Sequence, residues 1–342
     1  MKIKLPFKSI EEIEDPRREL ISQYFSGREL RLNSSCDQLE IELFWPEDPA
    51  YYIDENLKDG LSWWGDGLEV VSIPFARRRY QHFQLSLNDN WTLFSWSEWL
   101  AKKLKKNDVK KLIILHIDDH RDCMAPLLFK DINQNLIDPL TGSKVVLNDP
   151  SSIIKSIESG AIAVGSFMPV MFHSIAQIEF RHLMPEHRIP NAHRGGGLEN
   201  YFEKDMLLFP EKFRPSVKFE HNKGCHTYLP TADLKMFLED IDPSVPILLH
   251  VDMDYFNNRF DGDSDWTHHN FRHDPELNIV LGQIDSVFSK IIERDEFAQI
   301  EDISIALSPG FFPAEFWKGS IERINKIFQE AFNDEQLKTG AN

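Results

Sequence analysis

Leu112-Ile113-Ile114-Leu115-His116-Ile117-Asp118-Asp119-His120-Arg121-Asp122 is an apolar run that ends abruptly in acid and imidazole. The same arrangement returns far downstream as Ile247-Leu248-Leu249-His250-Val251-Asp252-Met253-Asp254. Each apolar run reads as a buried strand, and each strand delivers an acidic motif at its carboxyl end. In a strand, residues i and i+2 share a face, so Asp118 and His120 start on one side, and Asp122 joins them if the chain curls back. Asp252 and Asp254 do the same. Asp-x-His-x-Asp and Asp-x-Asp together give four carboxylates and one imidazole. That set is rich in oxygen and suits hard divalent cations, which would also relieve the mutual repulsion of the carboxylates.

Around these motifs, strands alternate with helices. Helical patterns begin at Ser97 to Leu104, at the capped Pro150-Ser151-Ser152 start, at Thr231 to Leu238, at Pro275 to about Arg294 and at Pro313 to Phe332. Strands are expected at 111–117, near Ala176–Leu183, at 246–252 and at Ile303–Leu307. This alternation predicts an α/β fold with a mainly parallel sheet and helices on both faces, where ligands bind beyond the carboxyl ends of strands. Residues 1–85 differ. Leu39-Glu40-Ile41-Glu42-Leu43 alternates, and Leu68 to Ile73 is read the same way, with turn residues between them. They predict a β-rich N-terminal region, suited to peptide docking, ahead of a catalytic domain at 86–342. Long loops are expected at Asp122–Asp149, Met184–Phe219 and Tyr255–Asp274. The second holds His193-Arg194-Gly195-Gly196-Gly197, without the lysine and serine of a P-loop. The third opens with Asn257 to Trp266, read as a wall of the substrate site; its Asp261-Gly262-Asp263-Ser264-Asp265 run lacks the distal glutamate of an EF-hand.

The chain has 342 residues, 42% of them hydrophobic, and a formal net charge of -17. Such acidity disfavours nucleic acid and anionic membrane, and it tolerates a cationic substrate. No apolar run approaches the ~18 residues that span a bilayer, and the first residues lack a signal-peptide pattern. Three widely spaced cysteines, Cys36, Cys123 and Cys225, argue against a disulfide framework and a cysteine zinc site, so a reducing cytoplasm is the expected location.

The paired motifs resemble the signatures of the arginase/deacetylase (ureohydrolase) fold superfamily. The nearer resemblance is to the peptide arginase branch of RiPP biosynthesis, whose members convert arginine side chains of precursor peptides to ornithine. It covers roughly residues 85–330, with diffuse support from Trp96 and Trp99, from Ser166-Phe167-Met168-Pro169 and from Ile305-Ala306-Leu307-Ser308-Pro309-Gly310. The resemblance implies a three-layer fold and a pair of manganese ions. Asp118 and Asp252 would bridge them, His120 and Asp254 would complete one, and Asp122 would bind the other. It further implies an arginine-containing precursor peptide as partner and urea as product. Where the family has a further histidine ligand, this chain reads Asn88-Asp89-Asn90-Trp91, and Asn90 stands at the expected place. An arginase-like reaction also needs a proton shuttle and a carboxylate to orient the cation. His173 and Glu276 are the candidates, because the late strand ends in Leu307-Ser308 with no carboxylate. His116 and His250, two residues before the bridging aspartates, are read as supporting or core histidines.

Two other classes remain open at this stage. A deacetylase-type amide hydrolase would hold one zinc through Asp118, His120 and Asp252. An inert binding module would use the N-terminal region to dock a peptide.

Overall fold

The computed structural model describes residues 2–6, 21, 24–25, 27–34, 38–103, 109–191, 196–205, 207, 209–220 and 224–339. His193, Arg194 and Gly195 of the glycine run lie outside the described residues.

Strand β6 (Lys111–Ile117) sits near the middle of a nine-stranded sheet and is buried from Leu112 onward. Its alternate residues feed two separate cores. Ile113, Leu115 and Ile117 join one, while Leu112 and Ile114 join the other. This explains why the strand reads as a continuous apolar run rather than an alternating one. Its parallel neighbours are β10 (Gln177–Leu183) and β14 (Ile247–Asp252). Beyond them, β13 (His226–Thr231) pairs parallel with β10, β15 (Ile300–Ala306) with β14, and β5 (Gln84–Ser86) with β15.

The edges of the sheet are antiparallel. On one side β4 (Arg77–Arg79) pairs with β5. On the other, β11 (Gly196–Lys204) pairs with β13 and with β12 (Phe213–Glu220). Helices cover both faces. Helices α1 (Leu57–Trp64), α6 (Leu277–Ile292) and α7 (Trp317–Thr339) contribute to the core with Ile113. Helices α2 (Trp91–Lys103), α3 (Pro150–Ser159) and α4 (Met168–Ser174) contribute to the core with Ile114. The α/β class with a largely parallel central sheet is as the sequence predicts.

Local chemistry explains the element ends. Helix α3 begins where the Asp149 side chain accepts from the Ser151 N–H and Pro150 fills the first turn, and it stops at Gly160 with φ 83°. The helix expected from Thr231 is shorter, Leu234–Leu238 (α5), and Asp233 is its cap; the Thr231 hydroxyl instead accepts from the Asp233 N–H.

The N-terminal region is strand-rich as expected. Strands β1 (Lys2–Pro6), β3 (Gln38–Phe44) and β2 (Glu29–Ser34) form an antiparallel sheet in that order. Its Ile41 and Leu43 enter the same core as Trp91. The strand expected at 68–73 is instead a 3-10 helix, Val70–Phe75. Val70 and Val71 are adjacent apolar residues, which breaks strict alternation, and Pro74 has no N–H for a ladder. A boundary at residue 85 runs through β5, so the main sheet starts earlier, at Arg77.

Two of the three expected loops hold regular structure. The first carries a small sheet of β7 (Phe129–Lys130), β8 (Leu136–Ile137) and β9 (Lys144–Val145). The second carries the β11–β12 hairpin, starting at Gly196. Among the described residues, no helix is long and apolar enough to cross a membrane.

Candidate metal centre

Because β6 and β14 pair in parallel with His116 opposite His250, Asp118 and Asp252 leave the sheet side by side. On the other flank, His182 of β10 lies opposite His116. Three fully buried histidines therefore form a row across the sheet, with ring centroids 4.7 Å apart for His116 and His182 and 4.9 Å for His116 and His250. Two of the three are bonded to each other, and Nε2 of His250 is buried without a hydrogen-bond partner. Nδ1 of His250 meets Nδ1 of His116 at 2.9 Å, Nε2 of His116 meets the His120 carbonyl at 3.0 Å, and Nε2 of His182 meets the Asp118 carbonyl at 3.0 Å. Burial pushes the pKa of His182 and of His250 down to about 3, and that of His116 well below the usual imidazole value. The row is a neutral floor that fixes the backbone from which the acidic motifs project.

Above this floor the carboxylates crowd. Asp118, Asp122, Asp252 and Asp254 are all buried. Burial first, and then neighbouring carboxylates, raise Asp118, Asp122 and Asp252 well above the usual range. Asp118, Asp252 and Asp254 are each oriented by a specific donor. The His120 N–H donates to Oδ1 of Asp118 at 2.5 Å, and the Ser308 hydroxyl to Oδ2 of Asp252 at 2.6 Å. The Asp119 N–H donates to Oδ1 of Asp254 at 3.2 Å, and Nδ1 of His120 lies 2.8 Å from its Oδ2. Asp122 curls back at φ 54° and Ser308 turns at φ 44°. These left-handed conformations are sparsely populated for residues with a side chain, and both occur where the chain re-aims a polar group at the site.

Asp118 Oδ2, Asp122 Oδ2 and Asp89 Oδ1 are buried with no hydrogen-bond partner. Unpaired buried carboxylate oxygens are costly unless a cation meets them. Two His/Asp groups have ligand atoms within 4.8 Å of one another and share Asp118: His116, Asp118, Asp122 and His250, and then Asp118, His120 and Asp254. A third group, Asp119, His120 and Asp261, is already met by a guanidinium. Arg188 donates from Nε to Oδ2 of Asp119 at 2.9 Å and from Nη2 to Oδ1 of Asp261 at 3.0 Å. The first two groups, three carboxylates and three imidazoles between them, could each hold a metal ion.

The acids open onto a cavity of about 590 Å³ at the carboxyl ends of the strands. Asp122, Asp252, Asp254 and His120 line it, and Asp118 lies beneath, fully buried. The structure thus brings the five motif residues together. It does not bring His173 or Glu276 to them. The Asn90 side chain donates from Nδ2 to the Ile162 carbonyl at 2.9 Å, its Oδ1 is buried without a hydrogen-bond partner, and it does not line the cavity. The residue before it does: Asp89 is buried, accepts from the Gly165 N–H at 2.7 Å, and is pushed up to about 8 by burial and by Asp252. His173 ends α4, just before β10 begins, which places it at the opposite end of the sheet. There its Nε2 meets the Ser216 carbonyl at 2.9 Å. Glu276 is an exposed residue at the start of α6 and lines neither the metal cavity nor the space beside it.

The loop at 257–266 does reach the site, since Asn258 donates to Oδ2 of Asp119 at 2.7 Å and Asp261 Oδ1 lies 3.3 Å from Nε2 of His120. Trp266 packs on Phe260 instead, and the cavity's aromatic walls are Phe219 and Phe311. Sequence reasoning passed over Asp89, Asp119, Arg188, Ser308 and the bonded role of His182. Asp119 sits inside the quoted motif, and Ser308 and Asp89 follow short strands; those positions were the available signal.

The swap between neighbours gives a prediction. Asp89→Ala should weaken binding of a divalent metal ion by well over tenfold in calorimetry, since even an outer-shell partner is commonly worth roughly 10–100-fold. Asn90→Ala should leave both the stoichiometry and the affinity as in wild type. The reverse pattern would return the ligand role to Asn90.

Compared with models of known protein families and with curated proteins, this chain matches none. The buried His/Asp cluster on a mixed, largely parallel sheet is compatible with a metal-dependent hydrolase.

Proposed function

We propose that this protein is a manganese-dependent hydrolase of guanidinium groups that converts arginine side chains in a peptide to ornithine, releasing urea. The observation that carries this reading is the pair of His/Asp groups sharing Asp118 at the floor of a carboxylate-lined cavity. The likeness of Asp118-x-His120-x-Asp122 and Asp252-x-Asp254 to the arginase/deacetylase signatures supports the reaction class and a three-layer arginase-like fold; the peptide arginase branch supports the substrate. Asp118, His120, Asp122, Asp252 and Asp254, with Asp89 added, would hold the ions. Bound manganese would supply Lewis-acid activation of water at neutral pH.

The residues of the chain do the rest. Asp89, Asp122, Asp252 and Asp254 make the cavity attractive to cations, the metal ions first, whereas Asp119 is already paired with Arg188. Phe219, Phe311, Met124 and Met184 flank it and limit bulk water around the reacting carbon. Ser308 holds Asp252, and the histidine row holds the Asp118 turn, so the ligand geometry is set before any ion arrives.

The test is direct. Chelator-treated protein reloaded with Mn²⁺ should release urea from arginine-containing peptides, with each modified site losing about 42 Da, the mass of the urea released less that of the water consumed. Zn²⁺ should restore less. Acetate from acetyl-lysine peptides with one zinc would select the deacetylase-type reading. A fully loaded protein inert toward peptides, free arginine and agmatine would overturn the hydrolase reading.

A further inference from the structure

The metal cavity continues into a larger space. Met184 lines the cavity and also a neighbouring cleft of about 1150 Å³. A small pocket links the two along the 3-10 segment that follows β10: Arg188 faces this pocket and the metal cavity, while His187 faces the pocket and the cleft. The cleft runs between the ends of β10 and β13 and the outer face of α6, where Gln283, Ser286 and Lys290 are exposed. Its rim carries Phe271, which is 62% exposed and stands 4.8 Å from the His187 ring.

A single amino acid held in the metal cavity would not reach into this space. Pockets for compact small ligands are typically ~300–1,000 Å³, and the metal cavity alone falls in that range. The lining of the second space is mixed: Met184, Pro230 and Leu234 are apolar, Glu186 and Asp233 are acidic, and Lys290 is basic. A mixture of apolar and polar contacts suits a polypeptide, which offers both side chains and backbone groups. None of residues 1–85 lines the cavity or the cleft, and Ile41 and Leu43 of the N-terminal sheet are spent on the core.

We propose that this cleft docks the stretch of polypeptide on one side of the reactive arginine, with an apolar side chain of the substrate set against Phe271 and His187. The proposal rests on the guanidinium-hydrolase reading of the metal centre and adds the surface that selects a peptide over free arginine. The link through Met184, His187 and Arg188 lets a chain lie in the cleft while its arginine enters the cavity.

The experiment compares Phe271→Ala and Ser286→Arg with wild type, all loaded with manganese. The substrates are a fluorescein-labelled peptide with one central arginine flanked by leucine and phenylalanine, and free arginine. Both substituted positions are exposed and neither is a metal ligand, so the fold should tolerate them; if Ser286→Arg alone misfolds, Phe271→Ala carries the test. Peptide KM and the peptide dissociation constant by fluorescence anisotropy should each rise about tenfold or more in both variants, with kcat and free-arginine turnover unchanged. Unchanged peptide KM in both variants, or equal KM for peptide and free arginine in wild type, would overturn the cleft while urea release leaves the hydrolase reading standing. Should no substrate release urea, the hydrolase reading fails separately. Anisotropy still decides the cleft, because peptide binding that ignores both substitutions rejects it.

Discussion

Asp118→Ala and Asp252→Ala should each abolish metal-dependent activity and reduce bound manganese together. Asp118 belongs to both buried His/Asp groups, so its loss removes a ligand from each. Asp252 stands beside it at the end of the paired strand and is held by Ser308 at 2.6 Å. Removing a direct carboxylate ligand should exceed the roughly 10–100-fold cost of losing an outer partner, so activity should fall below detection and not merely decline. Folding should survive. Alanine at 118 deletes a buried carboxylate already disfavoured by burial and by three neighbouring acids. Alanine at 252 leaves the Ser308 hydroxyl without its acceptor, at a cost of about 1–3 kcal/mol. Ser308→Ala should be milder, lowering metal affinity and kcat by tens of fold, because it loosens Asp252 without deleting it. The readouts are urea release, metal content by elemental analysis and a circular-dichroism melt. Asp252→Ala with near wild-type turnover and intact folding would show that the assigned site is wrong.

What the sequence made legible follows from where single residues report on long-range structure. The runs 112–117 and 247–252 could be read because a strand covered on both faces must be apolar throughout, and each such run ended in polar residues that burial would not otherwise tolerate. The grouping of Asp118, His120, Asp122, Asp252 and Asp254 came from that same fact. The hairpin at 196–220 was hidden because its strands are half-solvated: Gly196–Lys204 mixes glycine, charge and aromatics, and Phe213–Glu220 is the edge of the sheet. Asp89 and Asn90 could not be told apart by sequence position. They precede α2 as consecutive residues, and a single residue's rotation at a helix start decides which side chain faces the cavity. His173 and Glu276 were chosen by proximity in the chain to informative motifs. In an α/β fold that proximity misleads, since a helix such as α4 carries the chain back to the amino ends of the strands before β10 starts. Arg188 was invisible for the opposite reason: its partners, Asp119 and Asp261, are far from it in sequence, and only the folded loops bring all three together.

Metal-free protein should lose stability as pH rises above neutrality, and manganese should restore it most strongly there. The sign follows from the direction of the shifts. Asp118, Asp122 and Asp252 are raised well above the usual carboxylate value, and Asp89 is raised from 3.8 to about 8, in each case by burial before any neighbour. A raised carboxylate binds its proton more tightly in the folded state. Its favourable contribution is therefore complete below the unfolded value and is lost as pH climbs through the folded one. The buried histidines push the other way at lower pH. His182 and His250, lowered to about 3, are neutral when folded but protonated in the unfolded chain below ~6.5, so they add stability as pH rises to neutrality. From about pH 7 to 9 those two histidines are uncharged in both states; the slope is set by the raised carboxylates together with His120, which Asp254 and Asp261 raise well above the usual imidazole value against its burial and which acts in the same direction.

Divalent cations replace the protons that the carboxylates would otherwise need, and binding at a thousandfold excess over Kd adds about 4 kcal/mol per site. Melting curves with and without manganese should thus diverge with rising pH across that window. Asp89→Asn sharpens the test, because it removes one of the crowded charges. It should melt higher than wild type without metal at pH 8 and lower than wild type with saturating manganese. A crossing of that kind requires an acid that is a liability alone and a ligand when loaded. If Asp89→Asn shifts both melts in the same direction, Asp89 is an ordinary buried polar group, and the cation site does not extend to it.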